Sequence, residues 1–284
     1  MNKKQLTTKN HDRDAVGMCY VYPVISRRAG GVSIGINLNP NNACNWHCAY
    51  CQVPNLTRGV APNIDLALLR HELTVMLGEI IRGDFMQRRV PEACRKLCDI
   101  AISGNGEPTS CRSFDDVIQL IVDVMDDFHL LGKLPLRLIS NGSYIRKMNV
   151  QNGLKLMAKY HGEVWVKVDA TRGDTIYRMN GVRTSAELLF QQVVSMAQLC
   201  PSWIQTCMLA WDGEPPSNVD IAAYLSFLNR LKEEQVAVRG VLLYGLARPS
   251  LQPEAKHVSA LDKLWMQDMR DRIQTMGFPV RLNL

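Results

Sequence analysis

The sequence lacks any long uninterrupted hydrophobic run. Hydrophobic residues make up 46% of the 284 positions, but no stretch approaches the ~18–20 uncharged apolar residues that cross a bilayer. The N-terminal segment MNKKQLTTKNHDRD is polar and basic, and it leads into no apolar segment of the kind found in secretory signals. We therefore expect a cytoplasmic protein that has no membrane anchor.

Repeats, low-complexity segments and internal linkers are missing as well. Charged residues account for 21% of the chain, which is not the composition of a disordered protein. A chain of this length and apolar content can bury one large core. The nine cysteines are an odd number and partly clustered. This favours reduced thiols in a cytosolic enzyme over a secreted disulfide scaffold.

Positive charge is present but not concentrated. The formal net charge is +6, and the basic doublets are scattered as Arg27-Arg28, Arg88-Arg89, Arg95-Lys96 and Arg146-Lys147. Such spacing is more typical of a solvated surface than of a nucleic-acid footprint.

Three cysteines stand close together in the segment CNWHCAYC. Cys44, Cys48 and Cys51 have the spacing C-x3-C-x2-C, and a loop this short can direct all three thiols to one place. Thiolates are soft ligands that suit zinc or an iron–sulfur cluster. A closed zinc site usually takes a second Cys or His pair, and none follows Cys51 at finger-like spacing. A four-iron cluster on three cysteines would instead keep one iron open.

The remaining sequence alternates between buried strands and amphipathic helices. Residues 32–38 alternate as a strand that leads into the cysteine segment. Further strands are predicted at 98–103, 136–139, 164–169, 203–210 and 236–244, with helices at 65–82, from 113, at 150–160, at 184–199 and from 217. Six strand–helix units favour a parallel sheet but are too few for an eight-stranded barrel. We expect an α/β fold, an open partial (βα)6 barrel.

Short extensions flank the predicted barrel. We assign residues 1–31 to an N-terminal extension, with 1–14 as a loose tail and an apolar run at 18–25 packed on the core. Residues 32–249 form the core. Residues 250–284 form a C-terminal helix opened by Ser259-x-x-Asp262, followed by an edge strand at 280–284.

A glycine-rich segment follows the second core strand. It reads Gly104, Asn105, Gly106, Glu107 and Pro108. Glycines let a ligand approach the backbone closely, and the carboxylate can accept charge-assisted hydrogen bonds from an ammonium group. Taken alone, an ordinary turn explains the segment too. It is neither a Walker P-loop nor a dinucleotide fingerprint, because the residues that complete those motifs are absent.

Polar residues also follow three later strands. Alternation places Lys167 and Asp169 on the same side, where they are either ligand contacts or an ion pair on the bottom or outer rim of the barrel. Ser140 and Asn141 follow the third strand, and a turn explains them as well as a ligand does. Arg248 follows the sixth strand and suits a carboxylate of a cofactor or substrate.

These motifs together resemble the radical S-adenosylmethionine (radical SAM) superfamily. Its signature C-x3-C-x-aromatic-C is matched with Tyr50 as the aromatic residue. Its Gly-Gly-Glu-Pro segment is similar to 104–108, with Asn105 inserted between the glycines. The resemblance covers about residues 32–249 and implies the superfamily's (βα)6 core.

The resemblance also implies cofactors and chemistry. A [4Fe–4S] cluster would be held by the metal ligands Cys44, Cys48 and Cys51. S-adenosylmethionine would be contacted by Tyr50, Gly104, Asn105, Gly106, Glu107, Pro108, Ser140, Asn141, Lys167, Asp169 and Arg248. Its reductive cleavage would give a 5′-deoxyadenosyl radical that abstracts hydrogen from a substrate, with the electron coming from a donor such as flavodoxin or ferredoxin.

The sequence does not identify the substrate. The motifs and their order resemble those of stand-alone Fe–S oxidoreductases, whose cysteine signature is similar to that of the wybutosine-forming tRNA enzymes. Because the basic residues form no stripe, we expect a small molecule or nucleoside rather than a folded RNA. The alternatives are a tRNA-modifying enzyme and a non-catalytic Fe–S electron-transfer module.

Overall fold

The computed structural model describes residues 5–7, 16–26 and 30–284. The strands are β1 (Val21–Ser26), β2 (Gly31–Ile36), β3 (Ala43–Cys44), β4 (Thr57–Arg58), β5 (Leu97–Ile102), β6 (Leu136–Ser140), β7 (Glu163–Lys167), β8 (Ser202–Met208), β9 (Ala210–Trp211), β10 (Val238–Gly245), β11 (Val258–Ser259) and β12 (Val280–Asn283). The helices are α1 (Leu66–Ile81), α2 (Phe85–Arg89), α3 (Phe114–Asp127), α4 (Met148–Lys159), α5 (Gly173–Asn180), α6 (Ala186–Leu199), α7 (Asn218–Glu233) and α8 (Lys263–Thr275).

One eight-stranded sheet organises the molecule. Its order is β1-β2-β5-β6-β7-β8-β10-β12. The six strands from β2 to β10 pair in parallel, and helices connect each to the next. Tyr22 on β1 and Asn283 on β12 line the same cavity, so the sheet is curled. The predicted α/β fold and open partial (βα)6 barrel are confirmed.

Strand alternation sorts side chains between the two faces of the sheet. On β2, Val32, Ile34 and Ile36 are fully buried in the main hydrophobic core, whereas Ser33 and Gly35 line the interior of the curl. The same period-two rule places one set of apolar residues from each of the other strands beneath the helices. The concave face carries the polar residues of these strands together with a smaller apolar cluster of Trp165, Trp203 and Leu242.

Both extensions contribute strands to this sheet. The apolar run at 18–25 forms β1, which pairs antiparallel with β2. The predicted edge strand at 280–284 is confirmed as β12, which pairs in parallel with β10. The division of the chain at 31/32 and 249/250 stays a prediction.

Most of the predicted tail, and the Arg27-Arg28 doublet, lie outside the described residues. Residues 5–7 are described, and there the loose-tail prediction is wrong. Leu6 is buried, and its backbone N–H donates to the carbonyl of Arg89 at 2.8 Å.

Two predicted helix starts are displaced. α6 is capped by Ser185, whose side chain accepts from the Leu188 N–H, rather than by Thr184. Ser259 does not open the last helix because it belongs to β11, and Asp262 itself caps α8. α5 was not predicted, since its apolar face holds little more than Ile176 and Met179.

None of the helices described is long and apolar enough to cross a membrane.

A buried carboxylate on α1 holds the start of β1. Glu72 accepts hydrogen bonds from the backbone N–H groups of Cys19 at 2.7 Å, Tyr20 at 2.8 Å and Val21 at 3.2 Å. One side chain thus satisfies three consecutive donors that would otherwise be left unpaired near the core. It also fixes where β1 enters the sheet.

We expect Glu72→Ala to lower the free energy of unfolding by about 1–3 kcal/mol, the usual penalty for unsatisfied buried polar groups. Urea unfolding followed by circular dichroism measures the change. Glu79→Ala on the same helix is the matched control, because Glu79 makes an exposed ion pair with Arg88 at 3.3 Å, which is worth at most about 1 kcal/mol. Equal losses in the two variants would contradict the assigned role of Glu72.

Candidate metal and cofactor site

The three cysteines of the motif open onto one cavity inside the curled sheet. This central cavity has a volume of about 340 Å³, and Cys44, Cys48 and Cys51 all line it. Each thiol is free and half-buried. The segment that carries them follows β2, and Cys44 is held in the short parallel β3–β4 pair. The cysteines therefore stand at the carboxyl edge of the sheet, where such folds bind ligands.

Burial makes the thiols of Cys44 and Cys48 hard to ionise without a cation. It raises the pKa of Cys44 to about 12 and that of Cys48 to about 11. The neighbouring Cys48 and Cys51 thiols add to the shift at Cys44. Thiolates are the form that binds metal, so ligation must supply the positive charge that compensates for the lost protons.

The three cysteines are donors of the type that an iron–sulfur cluster takes. Across the part of the chain that the structure describes, no three His, Cys, Asp or Glu side chains converge to hold one metal ion. A mononuclear zinc site needs every sulfur about 2.3 Å from the same atom. An iron–sulfur cluster is held by cysteine thiolates, and all three cysteines of the motif open onto the cavity.

The end of α5 braces the middle of the cysteine loop. The N–H of His47 donates to the carbonyl of Asn180 at 2.9 Å, and the N–H of Ala49 donates to that of Met179 at 2.8 Å. Gly181, the residue directly after α5, has φ +64° and packs so closely on His47 that a Cβ on it would lie 2.8 Å from the His47 side chain. Only glycine tolerates both the positive φ and the close contact with His47.

A second brace comes from the segment after β10. The carbonyl of Cys51 accepts from the Leu251 N–H at 2.9 Å, from Ser250 Oγ at 3.2 Å and from Gln252 Nε2 at 3.2 Å. Gln252 Nε2 also donates to the carbonyl of Val53 at 2.8 Å. Sequence reasoning missed this contact because nothing in Ser-Leu-Gln marks it as a partner of the cysteines.

Each cysteine sulfur also accepts an N–H hydrogen bond. The donors are Trp46 N to Cys44 Sγ at 3.4 Å, Asn180 Nδ2 to Cys48 Sγ at 3.4 Å and Val53 N to Cys51 Sγ at 3.5 Å. Hydrogen bonds of this kind stabilise thiolate ligands and tune the metal centre they hold.

The two glycines of the glycine-rich segment are required by close backbone contacts that the sequence did not reveal. Gly104 has φ +153°, and a Cβ there would lie 2.4 Å from Asn37 Oδ1. A Cβ on Gly106 would lie 2.0 Å from the carbonyl of Ala43. The protein's own packing under the cysteine loop therefore requires both glycines, and the ligand approach expected from the sequence stays a prediction. Both still line the central cavity.

Glu107 ties the ends of two neighbouring strands together. The side chain is only 3% exposed. Its Oε1 accepts from Thr109 N at 3.1 Å and Ser140 Oγ at 2.7 Å, and Oε2 accepts from Asn141 N at 2.7 Å. Burial raises the pKa of the carboxyl group, although these donors oppose the shift. Because Oε2 accepts a single described donor and Glu107 lines the cavity, it has capacity for a ligand donor.

Lys167 and Asp169 form an ion pair, but Lys167 lines the central cavity, so the predicted alternative of a pair on the bottom or outer rim is wrong. Lys167 Nζ lies 3.5 Å from Asp169 Oδ2, and the Tyr50 hydroxyl bridges the two groups. Burial alone would lower the pKa of Lys167, but the Asp169 carboxylate and the Tyr244 phenol beside it raise the value well above normal. The aromatic residue of the cysteine motif is thus connected to the end of β7.

Two known proteins are similar to this chain in sequence. No family model matches the sequence. UPF0026 protein slr1464 from Synechocystis sp. (strain ATCC 27184 / PCC 6803 / Kazusa) is 22% identical over 282 residues, covering 92% of this chain and 95% of that protein. GTPase Obg from Brachyspira hyodysenteriae is 26% identical over 136 residues, which are 46% of this chain and only 17% of that protein.

Solved structures resemble the whole sheet. A radical SAM methyltransferase from Sphaerobacter thermophilus has a TM-score of 0.61 at 13% identity, over 93% of this chain and 68% of its own. SuiB from Streptococcus suis, solved with S-adenosylmethionine bound, has a TM-score of 0.52 at 11% identity, over 89% of this chain. This chain has the radical SAM fold. It spans 47% of the length of SuiB.

Placed in that fold, the predicted cofactor contacts fall into two groups. Those on the wall of the central cavity are Tyr50, Gly104, Gly106, Glu107, Asn141, Lys167 and Arg248. Asn105, Pro108, Ser140 and Asp169 are not among the lining residues. The side chain of Asn105 donates to Asn42 Oδ1 at 2.6 Å, in the turn before the cysteines. A cofactor contact by any of the eleven stays a prediction.

The cavity wall also holds polar residues that the sequence analysis did not single out. These are Ser33, Asp99, Ser103, Gln205, Tyr244 and Asn283. Their signal was a polar residue at every second position of an otherwise apolar strand, which places it on the concave face.

The brace from the segment after β10 can be tested on the protein without added cofactors. We expect Gln252→Ala to accelerate amide hydrogen exchange in peptides covering residues 44–53, because two carbonyls of the loop lose a buried donor. Hydrogen-exchange mass spectrometry measures the rate. Gln119→Ala is the control, since Gln119 donates only to the exposed Asp123 at 2.7 Å on α3. Unchanged protection of the loop in Gln252→Ala would refute the brace.

Proposed function

We propose that this protein is a radical SAM enzyme. It binds a [4Fe–4S] cluster through Cys44, Cys48 and Cys51 and binds S-adenosylmethionine in the central cavity. The observation that carries the proposal is that all three cysteines and Glu107 line the same cavity at the carboxyl edge of the sheet. The likeness of the fold to S-adenosylmethionine-binding SuiB supports it.

The residues present fit these groups in chemistry and in arrangement. Cys44, Cys48 and Cys51 would hold the cluster, and S-adenosylmethionine would bind beside it in the same cavity. The buried Glu107 carboxylate sits where it can accept from the amino group, while Lys167 is held beside Tyr50. When bound, the reduced cluster supplies the electron for reductive cleavage of the cofactor.

The substrate we propose is a small molecule or a nucleoside. The cavity of about 340 Å³ lies in the usual range of small-molecule pockets, about 300–1,000 Å³, and it would have to hold S-adenosylmethionine together with the substrate, which favours a small substrate. The wall below the cysteines combines the Trp165 ring with hydrogen-bonding groups of Asp99 and Gln205, which suits a polar, partly planar ligand. The electron donor we propose is a flavodoxin or a ferredoxin.

Anaerobic reconstitution with iron and sulfide tests the cluster ligands. We expect about four irons per wild-type chain, the content of one [4Fe–4S] cluster, and none in a variant with Cys44, Cys48 and Cys51 all changed to Ala. Cys94→Ala is the matched control, since Cys94 is also half-buried but lies outside the loop. Iron analysis and absorption spectra give the result. Full iron content in the triple variant would show that the cluster is held elsewhere.

Cleavage of the cofactor tests whether the protein is catalytic. With dithionite as reductant, we expect the reconstituted protein to convert S-adenosylmethionine slowly into methionine and 5′-deoxyadenosine, even without a substrate. Chromatography of the reaction mixture measures both products, and the triple cysteine variant is the blank. A cluster-bearing protein that releases no 5′-deoxyadenosine would be an electron-transfer module instead.

A further inference from the structure

Asn180 directs a buried amide at one of the three cysteine sulfurs. It is the last residue of α5 and is 1% exposed. Its Nδ2 donates to Cys48 Sγ at 3.4 Å and to Asp169 Oδ2 at 2.8 Å. Both N–H groups of the amide are therefore used, and one of them points at an expected iron ligand.

The neighbours of Asn180 determine which end of the amide faces the sulfur. Asp169 and a ligated Cys48 are both acceptors, so the amide oxygen in the same position would meet two negative groups. Asp169 is itself held in place by the Cys207 N–H at 2.9 Å and by the Tyr50 hydroxyl. The carboxylate thus keeps the N–H end of Asn180 turned towards Cys48.

We propose that Asn180 is a positioning residue that raises the reduction potential of the cluster by donating an N–H hydrogen bond to the Cys48 sulfur, an inference that rests on the proposed function. A donor at a thiolate ligand draws electron density from the sulfur and favours the state with one more electron. The described donors to the other two sulfurs are the backbone N–H groups of Trp46 and Val53. Asn180 supplies the side-chain donor, so substitution can remove it selectively.

Two substitutions separate the hydrogen bond from the shape of the side chain. Asn180→Ala removes the donor, and Asn180→Asp keeps the size but replaces both N–H groups by a carboxylate facing Asp169 and Cys48. Asn149→Ala is the matched control, because Asn149 also donates both N–H groups from a helix, to the carbonyls of Cys111 at 3.1 Å and Arg112 at 3.0 Å. Neither of those carbonyls belongs to the cysteine loop.

The full-length proteins are reconstituted anaerobically and titrated with dithionite while the reduced cluster is followed by electron paramagnetic resonance, and iron is counted in each sample. We expect wild-type iron content in Asn180→Ala and a midpoint potential lower than in wild type and Asn149→Ala. The potential of Asn180→Asp should be lower still.

An unchanged potential in Asn180→Ala with full iron content would overturn the proposal. So would a loss of iron from Asn180→Ala that Asn149→Ala does not share, since that marks a purely structural role. If Asn180→Asp holds no cluster, Asn180→Ala alone decides. A wild-type protein that binds no cluster at all would refute the proposed function itself, before any variant is compared.

Discussion

The alternation of side chains along parallel strands is the constraint on which the rest of the molecule depends. Because successive residues point to opposite faces, a strand such as β2 sends Ile34 and Ile36 beneath the helices and Ser33 into the curl. Repeated on neighbouring strands, this produces a large apolar layer outside and a cavity lined by both polar and apolar residues inside. The hydrophobic layer stabilises the sheet, and polar residues at the strand ends line the cavity.

Carboxylates buried at the edges of that sheet have a second function, which is to join elements. Glu72 joins α1 to the start of β1, and Glu107 joins the end of β5 to the end of β6. Asp169 joins the end of β7 to Tyr50 in the cysteine loop and to β8. Each is buried with several donors around it, which is how a buried charge becomes tolerable. These contacts position the loops more tightly than apolar packing alone would.

The cysteine loop shows why such contacts matter. Apart from the two-residue strand at Cys44, the loop is irregular, so its backbone has little ladder pairing of its own. Its partners are the end of α5 and the segment after β10. A loop braced at several points can present three sulfurs in a fixed arrangement before any cofactor binds, which reduces the cost of ordering on binding.

The sequence by itself determined the positions of the six core strands along the chain, the cysteine motif and the place of the glycine-rich segment. These features depend on local spacing, which a strand or a loop expresses wherever it lies. Tertiary structure decided which groups meet. Asn180 reaches Cys48 across 132 positions and Gln252 reaches Val53 across 199, and the glycines at 104 and 106 face Asn37 and Ala43. No periodicity encodes such pairs, because they exist only once the sheet has curled and brought distant strand ends to one edge.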